Sequence, residues 1–344
     1  MLKDIRQADE TEITSFVRAQ GEKPFRGRQI MEWLWKNGVT DFDRMSNLPA
    51  RLRESLKEHF TLSGLLIKTE QISRDKTRKF GFQCHDGLLV EGVLIPSQGR
   101  VTACLSSQVG CPLNCSFCAT ARLETRRNLS VGEIFDQVVL LQDASQKTFG
   151  TRLSNLVFMG MGEPLLNYEN VMNAISHMAS ENGLGISPRR ITLSTVGLTK
   201  GIIRLAHDKV KFNLAISLHS ANDEKRNSLM PVNKSNPLPA LTDALKLFYQ
   251  ETHTRITYEY LLMKDFNDSL RDATELADFC KITPCKINLI EYNEVAGSTH
   301  QKTTPERLQA FMEFLESKNL IVNIRRSRGQ DIDAACGQLA CKSG

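Results

Sequence analysis

The feature that most constrains the fold is a change of pattern near residue 97, where short β-type runs begin to alternate with amphipathic helices. Seven runs fit strands: VTACLSS, NLVFMGM, ITLSTV, FNLAISLH, ITYEYLLM, KINLIEY and IVNIRR. Helical periodicity lies between them at 130–145, 169–180, 237–251, 270–280 and 304–318. Such alternation is typical of parallel βα units. The sequence therefore predicts an α/β barrel or partial barrel with its site at the carboxyl ends of the strands.

The chain before that point has a different character. TEITSFVRAQ, FRGRQIMEWLWKNG and LPARLRESLKEHF carry apolar residues at helical spacing, and GEKPFRGRQ and SNLP interrupt them. We expect a small helical N-terminal domain over residues 1–80. The β-like stretch KFGFQCHDGLLVEGVLIP follows, so we assign 81–96 to a linker or extension and 97–340 to the core.

Composition excludes several classes of protein. Of the 344 residues, 41% are apolar and 24% charged, which is ordinary for a globular protein. No apolar run reaches the length of a membrane span, and the N-terminus MLKDIRQADETEI is too polar for a secretory signal. We therefore expect a cytoplasmic protein without a membrane partner. The formal charge of +5 permits an anionic partner without requiring one.

Three of the nine cysteines lie within eight residues, in the stretch SSQVGCPLNCSFCAT. Cys111, Cys115 and Cys118 have the spacing C-x3-C-x2-C and directly follow the first predicted strand of the core. A structural zinc site needs four protein ligands, and no second pair is nearby. Three thiolates on a four-iron cluster leave one iron open to a small molecule. The alternative is three loop cysteines packed as small apolar residues.

The spacing resembles the signature of the radical S-adenosylmethionine (SAM) superfamily, which has an aromatic residue before the last cysteine. Phe117 occupies that position. The resemblance implies one [4Fe-4S] cluster, whose open iron chelates the amino and carboxylate groups of SAM. It also implies a radical SAM barrel of the partial (β/α)6 type. An electron from the cluster then cleaves SAM to methionine and a 5′-deoxyadenosyl radical.

Other strand ends agree with this resemblance. GMGEP ends the second strand of the core with glycines that let backbone approach a ligand, and Glu163 is placed to accept a hydrogen bond from an ammonium group. LSTVG and SLHSAND place small polar groups at the next strand ends, where ordinary helix caps are an equally good explanation.

Longer motifs narrow the resemblance to one family. SSQVGCPLNCSFC, FMGMGEPLLN, PRRITLST, AISLHSANDEKR, TPCKINLIEYN and RGQDIDAACGQLA together resemble the adenine carbon-2 methyltransferases that act on 23S rRNA and tRNA. The match runs from GEKPFRGRQIMEW to Leu339. By this resemblance, two SAM molecules are used per turnover. One methylates a cysteine, and the other supplies the radical that removes hydrogen from the S-methyl group.

The resemblance also implies roles for individual residues. Cys336 would carry the methyl group, Cys104 would resolve the protein–RNA crosslink through a transient disulfide, and Glu91 would remove the carbon-2 proton. The SAM contacts implied by the family are Gly162, Glu163, Ser194, Ser217, Leu218, His219 and Asn293. No role is implied for Cys84, Cys280, Cys285 or Cys341.

The expected partners are 23S rRNA, tRNA and an electron donor such as flavodoxin or ferredoxin, and the family is typically monomeric. Arginines flank the predicted site in ARLETRRN and IRRSRG, where phosphate contact is an alternative to a solvated surface. The N-terminal domain, with Lys23, Arg26 and Arg28, resembles the accessory RNA-binding domain of the family. The target adenine must leave its stack to reach the cluster.

Three alternatives remain to be weighed. A sister family methylates carbon 8 of the same rRNA adenine and shares both extra cysteines, but its members tend to lack the proline that follows Glu163 here. A non-catalytic iron–sulfur RNA-binding protein would need neither Cys336 nor Glu91. A methylthiotransferase would need a second set of cysteines in the N-terminal region, and residues 1–83 contain none.

Overall fold

The N-terminal residues form a helical unit closed by two short parallel strands. The computed structural model describes residues 2–295 and 297–341. The elements of the unit, in chain order, are β1 (Lys3–Asp4), α1 (Glu10–Ala19), α2 (Phe25–Trp35), α3 (Ala50–His59) and β2 (Phe60–Thr61). The side chain of Asp9 starts α1 by accepting a hydrogen bond from the backbone N–H of Glu12. Apolar residues at helical spacing, such as Ile13 and Val17, are fully buried.

This unit is shorter than the sequence predicts, because its last helix ends at His59 and the chain then forms strands. The strands are β3 (Leu66–Ile72), β4 (Arg78–Gln83), β5 (Leu89–Ser97) and β6 (Arg100–Cys104). Neighbours among these four pair in antiparallel fashion. The helices thus end about twenty residues before the expected boundary at residue 80, which itself falls within β4. LIKTEQI is rich in β-branched residues, which favour a strand when a partner such as β4 is available.

The core continues from β6 as six strand–helix units followed by a last strand. After the short strands β7 (Gln108–Val109) and β8 (Arg127–Asn128), the elements are α4 (Val131–Phe149), β9 (Asn155–Phe158), α5 (Tyr168–Ala179), β10 (Ile191–Thr195), α6 (Thr199–His207), β11 (Asn213–Ser217), α7 (Asp223–Leu229), α8 (Leu238–Thr252), β12 (Ile256–Leu262), α9 (Leu270–Phe279), β13 (Cys285–Glu291), α10 (Pro305–Ser317) and β14 (Val322–Arg325). All seven predicted strands of the core are present.

One ten-stranded sheet joins both strand groups, in the order β14-β13-β12-β11-β10-β9-β6-β5-β4-β3. Within this sheet, β6 and the strands from β9 to β14 pair in parallel, so their carboxyl ends lie at one edge. Every residue of β12 is buried, as expected for a parallel strand covered on both faces. The prediction of a partial (β/α)6-type barrel is confirmed, with β14 and β3 at the two edges.

Helices α6 and α7 are two helices of the core that the sequence pattern did not predict. They have nine and seven residues, so an apolar stripe covers about two and a half turns or fewer. The longer helices have clearer signals. Ser130 and Glu133 form a capping box at the start of α4, and Ser269 and Asp272 form one at the start of α9.

Buried contacts fix the N-terminal unit to the core. The guanidinium of Arg6 is 2.7 Å from the carboxylate of Asp136 on α4, and both side chains are almost fully buried. Trp35 of α2 stacks on His177 of α5, with ring centroids 3.7 Å apart. Along the described residues, every helix is too short or too polar to cross a lipid bilayer.

Candidate active site

The three clustered cysteines lie in the loop after β6 and line one cavity at the carboxyl ends of the parallel strands. The loop takes left-handed backbone at Gly110 and Asn114, which turns the chain between the cysteines. The backbone N–H of Ser116 donates to the carbonyl of Leu229 at 2.9 Å, which fixes the loop to the end of α7. The strand-to-loop placement predicted from the sequence is therefore present.

The surroundings of these cysteines are apolar. Cys115 packs in a cluster that includes Leu229, Met230 and Leu261, with Cys118 at its margin. Burial raises the pKa of the Cys111 thiol to about 11 and also raises the pKa values of Cys115 and Cys118. A metal that binds here must therefore displace protons and supply the charge that stabilises the thiolates.

The donor set fits an iron–sulfur cluster better than a single ion. Three soft sulfur donors share a cavity with a mainly apolar lining. Among the described residues, no three His, Cys, Asp or Glu side chains surround one point closely enough for a single metal ion. A cluster does not need such a point, because each thiolate binds a different iron. The residues present therefore fit the expected group.

Glycines let the end of β9 approach the cluster loop. A Cβ atom on Gly160 would lie 2.7 Å from the carbonyl oxygen of Leu105. One on Gly162 would lie 2.6 Å from the Cβ of Gln108, and Gly162 has a φ of 93°. Only glycine satisfies both conditions at this position. Gly160 and Gly162 both line the cavity, with backbone close to the space that a ligand would fill.

Glu163 is a buried carboxylate in the wall of the same cavity. Its Oε1 accepts the backbone N–H of Leu165 at 3.1 Å, and its Oε2 accepts that of Val196 at 3.0 Å. Burial nevertheless raises its pKa to about 7. A cation in the cavity would stabilise the ionised form, so Glu163 is suited to bind an ammonium group.

Ser194 and Ser217 stand side by side at the ends of β10 and β11. Their Oγ atoms are 3.4 Å apart, and both residues line the cavity. His219 follows, with its Nδ1 accepting the backbone N–H of Leu261 at 3.1 Å. Nε2 must then carry the proton in the neutral ring. Burial lowers the pKa of His219 to about 3, so the ring is neutral at working pH.

Two of the expected SAM contacts, Leu218 and Asn293, are absent from the described residues that line the cavity. Leu218 is fully buried. The side-chain amide of Asn293 donates to the carbonyl oxygen of Cys336 at 3.1 Å, and its oxygen accepts from Gln330 at 2.8 Å. Asn293 thus holds the segment that carries Cys336.

Cys336 lies between two cavities. It lines the cavity of the clustered cysteines and a second, adjoining cavity that also contains Cys104. Burial, with a smaller contribution from Cys336, raises the pKa of Cys104 to about 12. Arg325 lines both cavities as well, and its Nη1 is 3.5 Å from the carboxylate of Glu259. The structure therefore brings together two cysteines that are more than two hundred residues apart in sequence.

Glu91 lies outside both groups of lining residues that the structure describes. Its Oε2 accepts the backbone N–H groups of Ala340 and Cys341, at 2.8 and 3.1 Å. Its Oε1 is 3.3 Å from the ammonium nitrogen of Lys79. In this conformation, therefore, the C-terminal segment occupies the carboxylate of Glu91.

Some basic residues near the site are paired with carboxylates of the fold, whereas others line a cavity or are exposed to solvent. Arg127 is paired with Asp86 at 2.6 Å and with Glu133 at 2.7 Å, so it stabilises the fold. Arg326 and Arg328 line the second cavity, beside Cys104 and Cys336. In the N-terminal unit, the side chain of Arg28 is 84% exposed.

Sequence reasoning missed two buried charged residues of the site. Arg226 is fully buried and donates to the carbonyl of Leu218 at 3.2 Å and to the carbonyl of Val196. It thereby joins the ends of β10 and β11, and burial lowers its pKa to about 10. Glu259 lines the first cavity from within β12. A charged residue inside the apolar run ITYEYLLM was the signal available for Glu259.

Comparison with known proteins agrees with this geometry. Residues 3–62 match the family model described as the ribosomal RNA large subunit methyltransferase N-terminal domain, and residues 105–277 match the radical SAM superfamily. A solved radical SAM methyltransferase from Sphaerobacter thermophilus is 38% identical, with a TM-score of 0.92 and coverage of 98% of this chain and 99% of its own.

Curated relatives give the family. A probable dual-specificity RNA methyltransferase RlmN from Cytophaga hutchinsonii is 51% identical over 99% of this chain and 93% of its own length. One of the same description from Bacillus licheniformis is 42% identical over 96% and 91%. Identity at this level extends through both the helical unit and the core. The chain therefore belongs to the RlmN family of the radical SAM superfamily.

Proposed function

We propose that this protein methylates carbon 2 of a specific adenine in 23S rRNA and of the adenine next to the anticodon in tRNAs. The observation that carries the proposal is the position of Cys336 in the walls of both cavities. A methyl-carrying sulfur must reach the cofactor on one side and the adenine on the other. The curated relatives named dual-specificity RNA methyltransferases support the two RNA substrates.

The first cavity is proposed to hold the cofactors. Cys111, Cys115 and Cys118 would bind a [4Fe-4S] cluster, and Gly162, Glu163, Ser194, Ser217 and His219 would bind SAM. When bound, these groups supply a methyl group and a radical that removes hydrogen. The ionised Glu163 would orient the ammonium group of SAM. The Nε2–H group of His219, whose ring is fixed through Nδ1, would donate a hydrogen bond to an acceptor atom of SAM.

Leu218 and Asn293 take part indirectly in this proposal. The carbonyl of Leu218 binds Arg226, which sets the end of β11 beside the cavity. Asn293 holds the backbone of Cys336 at 3.1 Å and so fixes the distance of the sulfur from the cofactors.

The two cysteines would act in sequence on the RNA. Cys336 would deliver its S-bound carbon to the adenine ring, which creates a crosslink. Cys104 would then attack the sulfur of Cys336, so that a sulfur–sulfur bond forms while the bond from that sulfur to the base-linked carbon breaks. The carbon keeps the electron pair of the broken bond and takes up a proton, which completes the methyl group. Because burial keeps Cys104 protonated, it would need to lose its proton as the crosslink forms. A thiol reductant would return both cysteines to the free state.

Glu91 would remove the carbon-2 proton only after Ala340 and Cys341 release its Oε2.

The second cavity is proposed to admit the flipped adenine, with Arg326 and Arg328 near the phosphates. The helical N-terminal unit, with Arg28 exposed, would bind the RNA fold outside the site. We further propose a monomer that acts in the cytoplasm, where flavodoxin or ferredoxin supplies the electron.

The experiment that tests this proposal follows the methyl group. Reconstituted protein is incubated with SAM and reductant, digested, and mapped by peptide mass spectrometry before and after addition of rRNA or tRNA. We expect one methyl group on the peptide containing Cys336, and its disappearance as methyladenosine forms. Methyladenosine made equally well by Cys336→Ala would contradict the proposal, and Cys280→Ala is a matched control distant from both cavities.

A further inference from the structure

Lys79 is a buried ammonium that the family resemblance does not assign to any role. It lies on β4, is 6% exposed, and its Nζ is 3.3 Å from Oε1 of Glu91. Burying an ammonium is costly unless a partner compensates the charge. A lysine placed at the surface of the same hairpin would have avoided that cost. The carboxylate of Glu91 is the partner that compensates this charge, so the two side chains form one buried pair.

The register of the sheet explains how the pair meets. Gly81 of β4 lies directly opposite Glu91 of β5, and Lys79 lies opposite Val93. Lys79 and Glu91 are thus diagonal neighbours on one face of the hairpin. Because Gly81 has no side chain, the lysine can extend over it to reach the carboxylate. The two charges are set by strands, which hold side chains more rigidly than loops do.

Lys79 also contacts the segment that precedes the methyl-carrying cysteine. Its Nζ is 3.5 Å from the carbonyl oxygen of Asp333, three residues before Cys336. On the other side of Cys336, the carboxylate of Glu91 binds the N–H groups of Ala340 and Cys341. The ion pair therefore holds the C-terminal segment at points on both sides of Cys336.

We propose that Lys79 is a positioning residue for the proton-removing step, acting through Glu91. It holds the carboxylate aimed at the C-terminal segment, so that Glu91 faces the crosslink when that segment moves. Lys79 does not touch the reacting atoms. The proposal rests on the function proposed above, because Glu91 would remove the carbon-2 proton only after the crosslink between Cys336 and adenine has formed.

This role predicts a defect confined to one step. Methylation of Cys336 precedes proton removal, and Asn293 still holds the backbone of Cys336 when Lys79 is replaced. Methylation should therefore continue in Lys79→Met at a rate within about twofold of wild type. Release of methylated RNA should slow by roughly tenfold or more, because the carboxylate loses its charged partner. The protein–RNA crosslink should accumulate, as it should in Glu91→Gln. Lys79→Arg, which keeps a charge at the same place, should restore release to within roughly threefold.

A double-mutant cycle separates this role from a merely structural one. The two single variants and Lys79→Met/Glu91→Gln are compared in single-turnover reactions, with the crosslink read on denaturing gels. If Lys79 acts through Glu91, the double variant releases RNA no more slowly than Glu91→Gln alone. Lys68→Met, at an exposed position on β3, is the matched control and should behave as wild type. Lys79→Gln replaces the methionine variant if that variant fails to fold.

Two results would overturn the inference. One is an additive loss in the double variant. The other is a Lys79→Met enzyme that loses Cys336 methylation together with RNA release, since that pattern indicates general damage. Failure of the proposed function looks different, because the wild-type protein would then form neither crosslink nor methyladenosine.

Discussion

The side-chain amide of Asn293, at the end of β13, donates a hydrogen bond of 3.1 Å to the backbone carbonyl of Cys336. Gln330 completes the link by donating to the oxygen of Asn293 at 2.8 Å. A residue expected to contact the cofactor thus holds the cysteine that the cofactor would methylate. This hydrogen bond therefore joins the barrel to the C-terminal segment at Cys336 itself.

We expect Asn293→Ala to slow methylation of Cys336 roughly five- to tenfold, because one hydrogen bond contributes about 1 kcal/mol and the sulfur loses its fixed position. Intact-protein mass spectrometry over time gives the rate. Asn213→Ala removes an amide that binds the carbonyl of Arg189, away from the site, and is the control. Equal rates for the two variants would contradict the positioning role of Asn293.

Cys104→Ala should trap the enzyme on RNA, since no second thiol is left to attack the sulfur of Cys336. A protein–RNA band on denaturing gels should appear and persist, while methylation of Cys336 continues. Cys84→Ala removes another buried thiol and should release RNA normally. Normal release by Cys104→Ala would show that another group resolves the crosslink.

Cys118→Ala should lose the cluster, because two remaining thiolates hold the four irons too weakly for the cluster to survive purification. Iron content and the visible absorption of the anaerobically reconstituted protein measure this loss. Cys285→Ala, outside the described lining of both cavities, should keep its iron. Retention of full iron content by Cys118→Ala would refute the assignment of the ligands.

The buried carboxyl of Glu163 makes a prediction about pH for the protein free of cofactors. Its pKa in the folded state is raised to about 7 by burial, so the folded state binds the proton more tightly than the unfolded state does. The stabilising effect is present at low pH and is lost as the pH rises through about 7. Unfolding free energies are measured by urea titration at pH 5 and pH 7.5. The decrease between the two pH values should be about 2 kcal/mol larger in wild type than in Glu163→Gln. Equal differences in the two proteins would contradict this account.

The sequence was informative wherever a signal is local. The spacing of Cys111, Cys115 and Cys118 placed them in one loop, and strand–helix alternation gave the parallel core. Short helices such as α6 were missed because about two and a half turns carry too little periodicity. The strand β3 was missed because its composition favours a strand only once the pairing with β4 is available.

Contacts between distant segments could not be predicted in the same way. Glu91 and Ala340 are 249 residues apart, and only the folded sheet brings the C-terminal segment over the carboxylate. Arg127 appeared available to RNA in the run ARLETRRN, yet folding pairs it with Asp86 and Glu133. Local sequence shows which residues can do chemistry, whereas tertiary contacts decide which of them are free to do it.

The most direct test of the central claim is mass spectrometry of nucleosides from rRNA and tRNA of a host that lacks its own enzyme, with and without this gene. Chromatography separates 2-methyladenosine from 8-methyladenosine. We predict 2-methyladenosine in both RNAs, and its loss when Cys336→Ala replaces the wild-type protein. Appearance of 8-methyladenosine, or of no methylated adenine from a protein with an intact cluster, would contradict the claim.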